Sequence, residues 1–116
     1  MYVVDFKDRE KSAVEFAGSR DVYVRWLVGR NTGARTFAMR LFEIKAGGII
    51  PLHTHEEEHE IFVLEGKAKI LGSEEGLAAK KGDVVFISSN QNHGFDNTEG
   101  KESFCFICVI PLLRKD

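Results

Sequence analysis

Three of the four histidines of this chain lie within seven positions of one another, and the fourth follows 34 residues later. They are His53, His55, His59 and His93. Imidazole is a strong ligand for Mn, Fe, Ni, Cu and Zn ions. A metal site needs several ligands that converge on one point, and two segments of a fold can supply them together. The alternative is that these are surface histidines of an acidic loop, because Glu56–Glu58 lies among them.

The spacing of the three clustered histidines favours the metal site. Side chains alternate between the two faces of a strand, so His53 and His55 point the same way on a strand. His59 has the same parity and shares that face if the chain stays roughly extended between them. Glu60 has the opposite parity and is expected to face away.

Short strand signals separated by turns account for most of the chain. Segments rich in β-branched and aromatic residues alternate with Gly, Asn and Ser, which is typical of an antiparallel sandwich or barrel. One helical turn is predicted near residues 8–16, and Ala46–Gly48 is predicted to end the second strand. The chain is therefore predicted to be all-β. The predicted strands cover 21–28, 36–44, 61–64, 68–71, 77–79, 84–87 and 103–113, with one of the turns at 72–76.

Length and charge exclude several classes of protein. The chain has 116 residues and no repeat or linker, which predicts one domain over residues 1–116. Its formal net charge of −2 argues against a partner that is nucleic acid or an anionic membrane. No apolar run reaches the roughly 18 residues of a membrane span, and Met1–Lys11 has no apolar signal-peptide core. A cytoplasmic location is therefore expected.

The segment around the clustered histidines carries a family resemblance. Residues Gly47–Gly66 read GGIIPLHTHEEEHEIFVLEG. This stretch resembles the first cupin motif, in which a glycine is followed after five residues by His-x-His, here His53 and His55, and the motif ends in a glycine.

A second segment resembles the second cupin motif. Residues Gly82–Asn97 read GDVVFISSNQNHGFDN, and the glycine, the histidine and the final asparagine fit the family's spacing. Ser88 and Asn90 stand where the family usually has Pro and Gly, which concerns the turn before the histidine. The 15 residues between the two motifs match the short spacer of small single-domain cupins of the cupin_2 type. The resemblance implies a jelly-roll barrel.

The resemblance also implies a ligand set. Cupins have a carboxylate ligand in the first motif, which could be Glu60. Counting back six residues from the closing glycine gives His59 instead, and strand parity agrees. We therefore predict one divalent transition metal ion (Mn, Fe, Ni, Cu or Zn) on four histidines, His53, His55, His59 and His93, with Glu60 as the second choice.

Other residues are weaker candidates for chemistry. Cys105 and Cys108 form Cys-x-x-Cys within an apolar run, where opposite strand parity keeps them from pairing easily. They are interpreted as structural, but Cys108 shares a parity with Phe104, Phe106 and Ile110 and could sit near the metal as an oxidisable thiol. Either Arg40 or Met39 could point into the barrel, where an arginine would bind an anionic group. A solvated Arg40 is the favoured alternative.

The aromatic residues and the chain's first segment suggest packing roles. Phe62, Phe86 and Phe95 are predicted to be core residues, and Trp26 with Tyr23 to pack in the core or at a dimer interface. Small cupins commonly form homodimers, so residues 1–20 are predicted to take part in pairing. The apolar segment Met1–Phe6 is the candidate for an exchanged strand.

These features predict a small metal-binding cupin. The first hypothesis is a metal-dependent enzyme, dioxygenase-like or isomerase-like, acting on a small oxygen-rich or aromatic molecule; Glu60, Arg40 and Cys108 are its candidate catalytic residues. The second hypothesis is a metabolite-binding or sensing module without turnover. A storage or purely structural role ranks last.

Overall fold

A computed structural model of the chain describes residues 1–73 and 76–113. The predicted turn at 72–76 therefore lies partly outside the described residues. The predicted domain end at residue 116 lies outside them. Within these residues the chain forms nine strands and three single 3-10 turns. The strands are β1 Lys11–Ala13, β2 Arg20–Val28, β3 Phe37–His53, β4 His59–Glu65, β5 Lys67–Leu71, β6 Leu77–Lys80, β7 Val84–Ile87, β8 His93–Asp96 and β9 Phe104–Pro111. The 3-10 turns are Phe6–Asp8, Phe16–Gly18 and Arg30–Thr32.

The all-β prediction is confirmed, with three local differences. The helical turn predicted near residues 8–16 is wrong: that segment holds the short strand β1 between two 3-10 turns. The strand predicted to end near Ile44 continues to His53, because its glycines bend the strand without ending it. Strand β8 was not predicted, since HGFD offers one apolar side chain and no alternation. Within 1–73 and 76–113, no helix has the length and apolar character needed to cross a membrane.

The strands form one sheet that curves into a nearly closed β-barrel, the jelly-roll architecture. Its order is β6-β5-β8-β3-β9-β4-β7, with β2 also paired to β3 and β1 paired to β2. Strand β3 is shared between the halves of the barrel. Residues 37–44 of β3 pair with β9, whereas residues 49–53 pair with β8.

The bend in β3 requires glycine at two adjacent positions. Gly47 has a φ of 87°, and its N–H donates to the carbonyl of Asn97 at 3.0 Å. A Cβ atom on Gly48 would lie 2.9 Å from the carbonyl oxygen of Arg20 and 3.0 Å from that of Asp21. Side chains are therefore excluded where β3 passes β2 and changes its other neighbour from β9 to β8.

Alternation along the strands builds the core. On β9, Phe104, Phe106, Cys108 and Ile110 are buried, as their shared parity predicts. Phe95 is buried as predicted. The prediction of core positions for Phe62 and Phe86 is wrong, because these side chains are 47% and 61% exposed. The residues beside Phe62 on β4, Ile61 and Val63, are buried, so Phe62 points outwards.

Candidate metal centre

The four histidines come from one strand end, two strand starts and the loop between β3 and β4. His53 ends β3, His59 begins β4, His93 begins β8, and His55 lies between β3 and β4. His53 and His93 are direct partners across the β3–β8 pair. That pairing depends on Gly94, where a Cβ atom would lie 2.6 Å from the carbonyl oxygen of Ile50.

Three of the histidines form a cluster with the spacing of a ligand set. One ring nitrogen from each of His53, His55 and His93 lies within 4.8 Å of the other two. The ring centroids of His53 and His93 are 4.3 Å apart, and those of His55 and His93 are 4.9 Å apart. The folded chain thus brings together groups that are 40 positions apart in sequence.

His59 lies directly beside this cluster. Its Nε2 is 2.7 Å from Nε2 of His55, and its ring centroid is 4.8 Å from that of His93. Its other ring nitrogen, Nδ1, is 2.7 Å from the sulfur of Cys108. His59 is buried, with 5% of its surface exposed.

Backbone carbonyls fix the tautomers of two rings. Nδ1 of His53 donates to the carbonyl of Pro51 at 2.8 Å, and Nδ1 of His93 donates to the carbonyl of Gln91 at 2.8 Å. A neutral imidazole that donates through Nδ1 keeps a lone pair on Nε2. Such outer hydrogen bonds are usual for metal-binding histidines because they orient the ring.

The surroundings of His55, His59 and His93 favour the neutral form of these three rings. Burial lowers the pKa of His59 to about 2 and that of His93 to about 4. Burial also lowers the pKa of His55. The positive charge of Arg40 lowers all three pKa values further. Neutral imidazole is the form that binds metal ions.

The donor set fits a transition metal ion. Nε2 of His93 is buried without a hydrogen-bond partner, and a buried polar atom left unpaired is costly. Nε2 of His55 and Nε2 of His59 lie 2.7 Å apart, and two lone pairs face each other there when both rings carry their proton on Nδ1. A cation between these lone pairs resolves both features.

Three of the histidines, His53, His55 and His59, line an apolar cavity of about 200 Å³. Its walls come mainly from aromatic and aliphatic side chains, which limit the water around the imidazoles. The wall residues are Phe16, Trp26, Phe42, Ile50, Phe95, Phe106 and Ile110, with Arg40 and Glu57 as the charged members.

The candidate catalytic residues lie in different places. Arg40 lines the cavity, so the favoured expectation of a solvated arginine is wrong, while Met39 is exposed. Cys108 is fully buried between Arg40 and His59, and burial raises the pKa of its thiol. Cys105 and Cys108 are both free thiols, as expected. Glu60 has an exposed side chain and does not line the cavity.

Three cavity residues were missed by sequence reasoning. Glu57, expected in a solvated loop, lines the cavity with its Oε1 3.7 Å from Nδ1 of His55. No sequence signal distinguishes it from Glu56 and Glu58. Trp26 shares the parity of the buried Val24 on β2, a signal that could have pointed it towards the cavity. Phe16, on the second 3-10 turn, packs edge-on against His53 at 4.9 Å.

Solved structures resemble nearly the whole chain. The polyketide cyclase RemF from Streptomyces resistomycificus is 30% identical, with a TM-score of 0.90 over 100% of this chain and 82% of RemF. A protein from Thermotoga maritima described as a predicted oxalate decarboxylase has a TM-score of 0.82 over 97% of this chain and all of its own. At 23% identity, the second likeness shows the fold alone.

Among curated proteins, the chain is 36% identical over 81 residues to the oxalate-binding protein of Thermotoga maritima. The match covers 69% of this chain and 64% of that protein. It is also 36% identical over 62 residues to an uncharacterised HTH-type transcriptional regulator of Bacillus subtilis, covering 53% of this chain and 21% of the regulator. The chain thus spans less than two thirds of either relative.

A sequence model of the family described as Cupin domain matches residues 40–110, which include all four histidines. That segment is more than half of the chain and contains both motifs. The chain belongs to the cupin family.

Proposed function

We propose that this cupin is a metal-dependent enzyme acting on a small oxygen-rich or aromatic molecule in the barrel cavity. His53, His55, His59 and His93 would together hold one divalent transition metal ion, with Mn, Fe, Ni, Cu and Zn as candidates. The single observation that carries the proposal is the convergence of imidazole nitrogens from His53, His55 and His93 beside an apolar cavity. A bound ion would supply Lewis acidity towards a carbonyl or enolate oxygen.

The protein's own residues have distinct tasks in this proposal. The aromatic walls exclude water and orient a flat molecule, which strengthens electrostatic interactions at the site. Glu57 is the carboxylate of the cavity wall, and we assign it as the acceptor of a proton from the substrate. Isomerase-like or cyclase-like chemistry needs such a proton acceptor beside a polarised oxygen. The 30% identity to a polyketide cyclase over the whole chain supports this class over a dioxygenase.

The ligand set is tested by metal content. The untagged protein is purified, loaded with each first-row divalent ion in turn, and analysed by elemental mass spectrometry. His59→Ala should lose most of the bound metal, and Glu60→Ala is the matched control, because Glu60 is adjacent but exposed. Metal loss in Glu60→Ala with retention in His59→Ala would exclude His59 as a ligand.

The reaction class is tested with the loaded enzyme. β-Diketones, catechols and sugar phosphates are incubated with and without O₂ while substrate loss and O₂ uptake are followed. Turnover without O₂ supports the isomerase-like or cyclase-like class, and turnover that requires O₂ supports a dioxygenase. Glu57→Gln should slow the O₂-independent reaction by about 10²-fold or more, the usual contribution of a positioned base.

A metabolite-binding module without turnover is the second candidate function. It is supported by the 36% identity to an oxalate-binding protein and by the cationic Arg40 in the cavity. This candidate is favoured if the loaded protein binds oxalate in a calorimeter and turns over no substrate of the panel with any metal.

We further propose that the protein works as a homodimer in the cytoplasm. Phe62, Val84 and Phe86 lie together on the outer face of β4 and β7 and are 47%, 77% and 61% exposed. A contiguous exposed apolar patch at a sheet edge is typical of a protein interface. The two free thiols suit a reducing compartment.

Light scattering after gel filtration should give twice the 13.1 kDa chain mass, and Phe86→Glu should give the monomer. A monomer from the unmodified protein would contradict the dimer. A Phe86→Glu variant that remains a dimer would move the interface elsewhere, and deletion of Met1–Phe6 then tests whether that segment pairs the chains.

A further inference from the structure

We propose that Arg40 forms an anion-binding half of the cavity, so that the substrate is a small, flat organic acid held between the metal centre and this guanidinium. The inference deepens the proposed function and rests on it only for the statement that the other end of the substrate meets a metal ion. The arginine half has its own evidence and can be tested without metal.

Arg40 is held in place by groups that do not neutralise it. It lies on β3 opposite Cys108 of β9 and Trp26 of β2. Its guanidinium carbon is 5.3 Å from the ring centroid of Trp26 and 4.8 Å from that of Phe42. Nη2 donates to the sulfur of Cys108 at 3.3 Å. Stacking on two rings fixes the plane of the guanidinium and leaves its charge in place.

The hydrogen-bonding capacity of Arg40 is incompletely used. Its Nε is buried and has no hydrogen-bond partner. None of the ion pairs found within residues 1–73 and 76–113 includes Arg40. A guanidinium stays protonated in proteins, so it cannot escape burial by losing its charge. An acceptor supplied by a ligand would satisfy this group, and a carboxylate matches its fork of N–H donors.

The charge balance of the cavity also favours an anionic ligand. Arg40 lines the same cavity as His53, His55 and His59, and Cys108 Sγ contacts both Arg40 Nη2, at 3.3 Å, and His59 Nδ1, at 2.7 Å. A divalent ion on neutral imidazoles and Arg40 together bring three positive charges to one apolar space, against one negative charge from Glu57. An anionic ligand compensates the remainder.

The walls and the volume define the body of that ligand. Phe106 stacks against two other rings of the wall. Its ring centroid is 5.2 Å from that of Phe42 and 4.9 Å from that of Phe95. A cavity of about 200 Å³ with such walls suits one ring or a short conjugated chain. The ligand class is therefore a small conjugated or aromatic molecule with a carboxylate, a phenolate or an enolate.

The test compares two probes that differ in charge and hardly in shape, benzoate and benzamide. Binding to the full-length protein is measured by calorimetry and by the fluorescence of Trp26, the only tryptophan of the chain. Titrations are made with bound metal and after its removal by a chelator. In the metal-stripped protein, benzoate should bind at least about tenfold more tightly than benzamide, the ratio expected for a charge-assisted hydrogen bond.

Two arginine variants locate the effect. Arg40→Met should reduce the benzoate-to-benzamide ratio to within about twofold of unity. Arg30→Met is the matched control and should keep the preference, because Arg30 is exposed and lies in an adjoining surface cleft without lining the cavity. Circular dichroism checks that each variant folds, and Arg40→Gln replaces Arg40→Met if the latter does not.

Three results would overturn the inference: a metal-stripped protein that does not distinguish the probes, a folded Arg40 variant that keeps the preference, or loss of the preference in Arg30→Met. If neither Arg40 variant folds, the comparison of the probes on the unmodified protein and on Arg30→Met decides. A protein that retains no metal but prefers benzoate through Arg40 would refute the proposed metal-dependent reaction and leave the anion site standing.

Discussion

Replacement of Asn97 by aspartate should make stability strongly dependent on pH. Asn97 is buried, and its Nδ2 donates to the carbonyls of Ile44 at 3.0 Å, Lys45 at 3.2 Å and Glu102 at 2.9 Å. These bonds tie the bend of β3 to the loop before β9. Asn97→Asp keeps the shape but turns the donor into an oxygen that faces three carbonyl oxygens, so a charged carboxylate is excluded and the folded protein must hold the protonated acid.

The cost follows from the protonation of that acid. An aspartate of ordinary pKa near 3.9 must take up a proton on folding, which costs about 4 kcal/mol at pH 7 and about 1.5 kcal/mol at pH 5. Because its folded pKa is raised, this cost is absent below the unfolded pKa and grows with pH. Asn97→Ala loses the same donors without a titratable group and should cost about 2–4 kcal/mol at both pH values.

The assay is equilibrium urea unfolding of the metal-stripped proteins at pH 5 and pH 7. Relative to the unmodified protein, Asn97→Asp should be less destabilised at pH 5 than at pH 7 by about 2–3 kcal/mol. The difference for Asn97→Ala should be near zero. An Asn97→Asp variant as stable as the unmodified protein at pH 7, or one whose cost does not change with pH, would refute the assignment of the side-chain nitrogen as donor to these carbonyls.

Three further outcomes are expected. Cys108→Ala should weaken metal binding about tenfold in a chelator competition, because Nδ1 of His59 loses its acceptor at 2.7 Å, and unchanged affinity would contradict this role. The metal-stripped protein should lose up to about 3 kcal/mol of stability per pH unit as pH falls below 6.5. The reason is that the unfolded chain then binds protons at His59 and His93, which the folded chain excludes because burial lowers their pKa values to about 2 and about 4. Urea unfolding at pH 7, 6 and 5 measures this loss, and constant stability would argue against burial as the cause. Gly94→Ala should lower both stability and metal content, measured by thermal unfolding and elemental analysis, because its Cβ meets the carbonyl of Ile50; normal values for both would show that β8 can shift without consequence.

Parity carried much of the sequence-based prediction. Alternation on β9 predicted which of its side chains are buried. His53, His55 and His59 do line one cavity, but a loop joins β3 to β4 between them, so the extended chain that the parity argument required is not present. The prediction that Phe62 is a core residue failed because it lies on the outer face of the sheet. Hydrophobicity alone does not say which side of a sheet is covered.

Other parts of the site have no local sequence signal. The cavity position of Glu57 depends on the path of the loop between β3 and β4, which no alternation governs. The continuation of β3 to His53 was missed because glycine usually ends a strand, whereas here tertiary packing against β2 and Asn97 requires it. His53 and His93 pair across a long stretch of sequence. Neither of the two motifs predicts this contact alone, and only their combination indicates it.

The bend at Gly47 and Gly48 divides one strand into two regions that can change independently. Before the bend, Arg40 and Phe42 line the cavity, and at the far end of the strand His53 is part of the histidine cluster. Under the proposed function, substitution of Arg40 and Phe42 should therefore change which molecule binds while the histidine cluster is left unaltered. A library confined to that half of β3 is the economical route to new substrates on this scaffold.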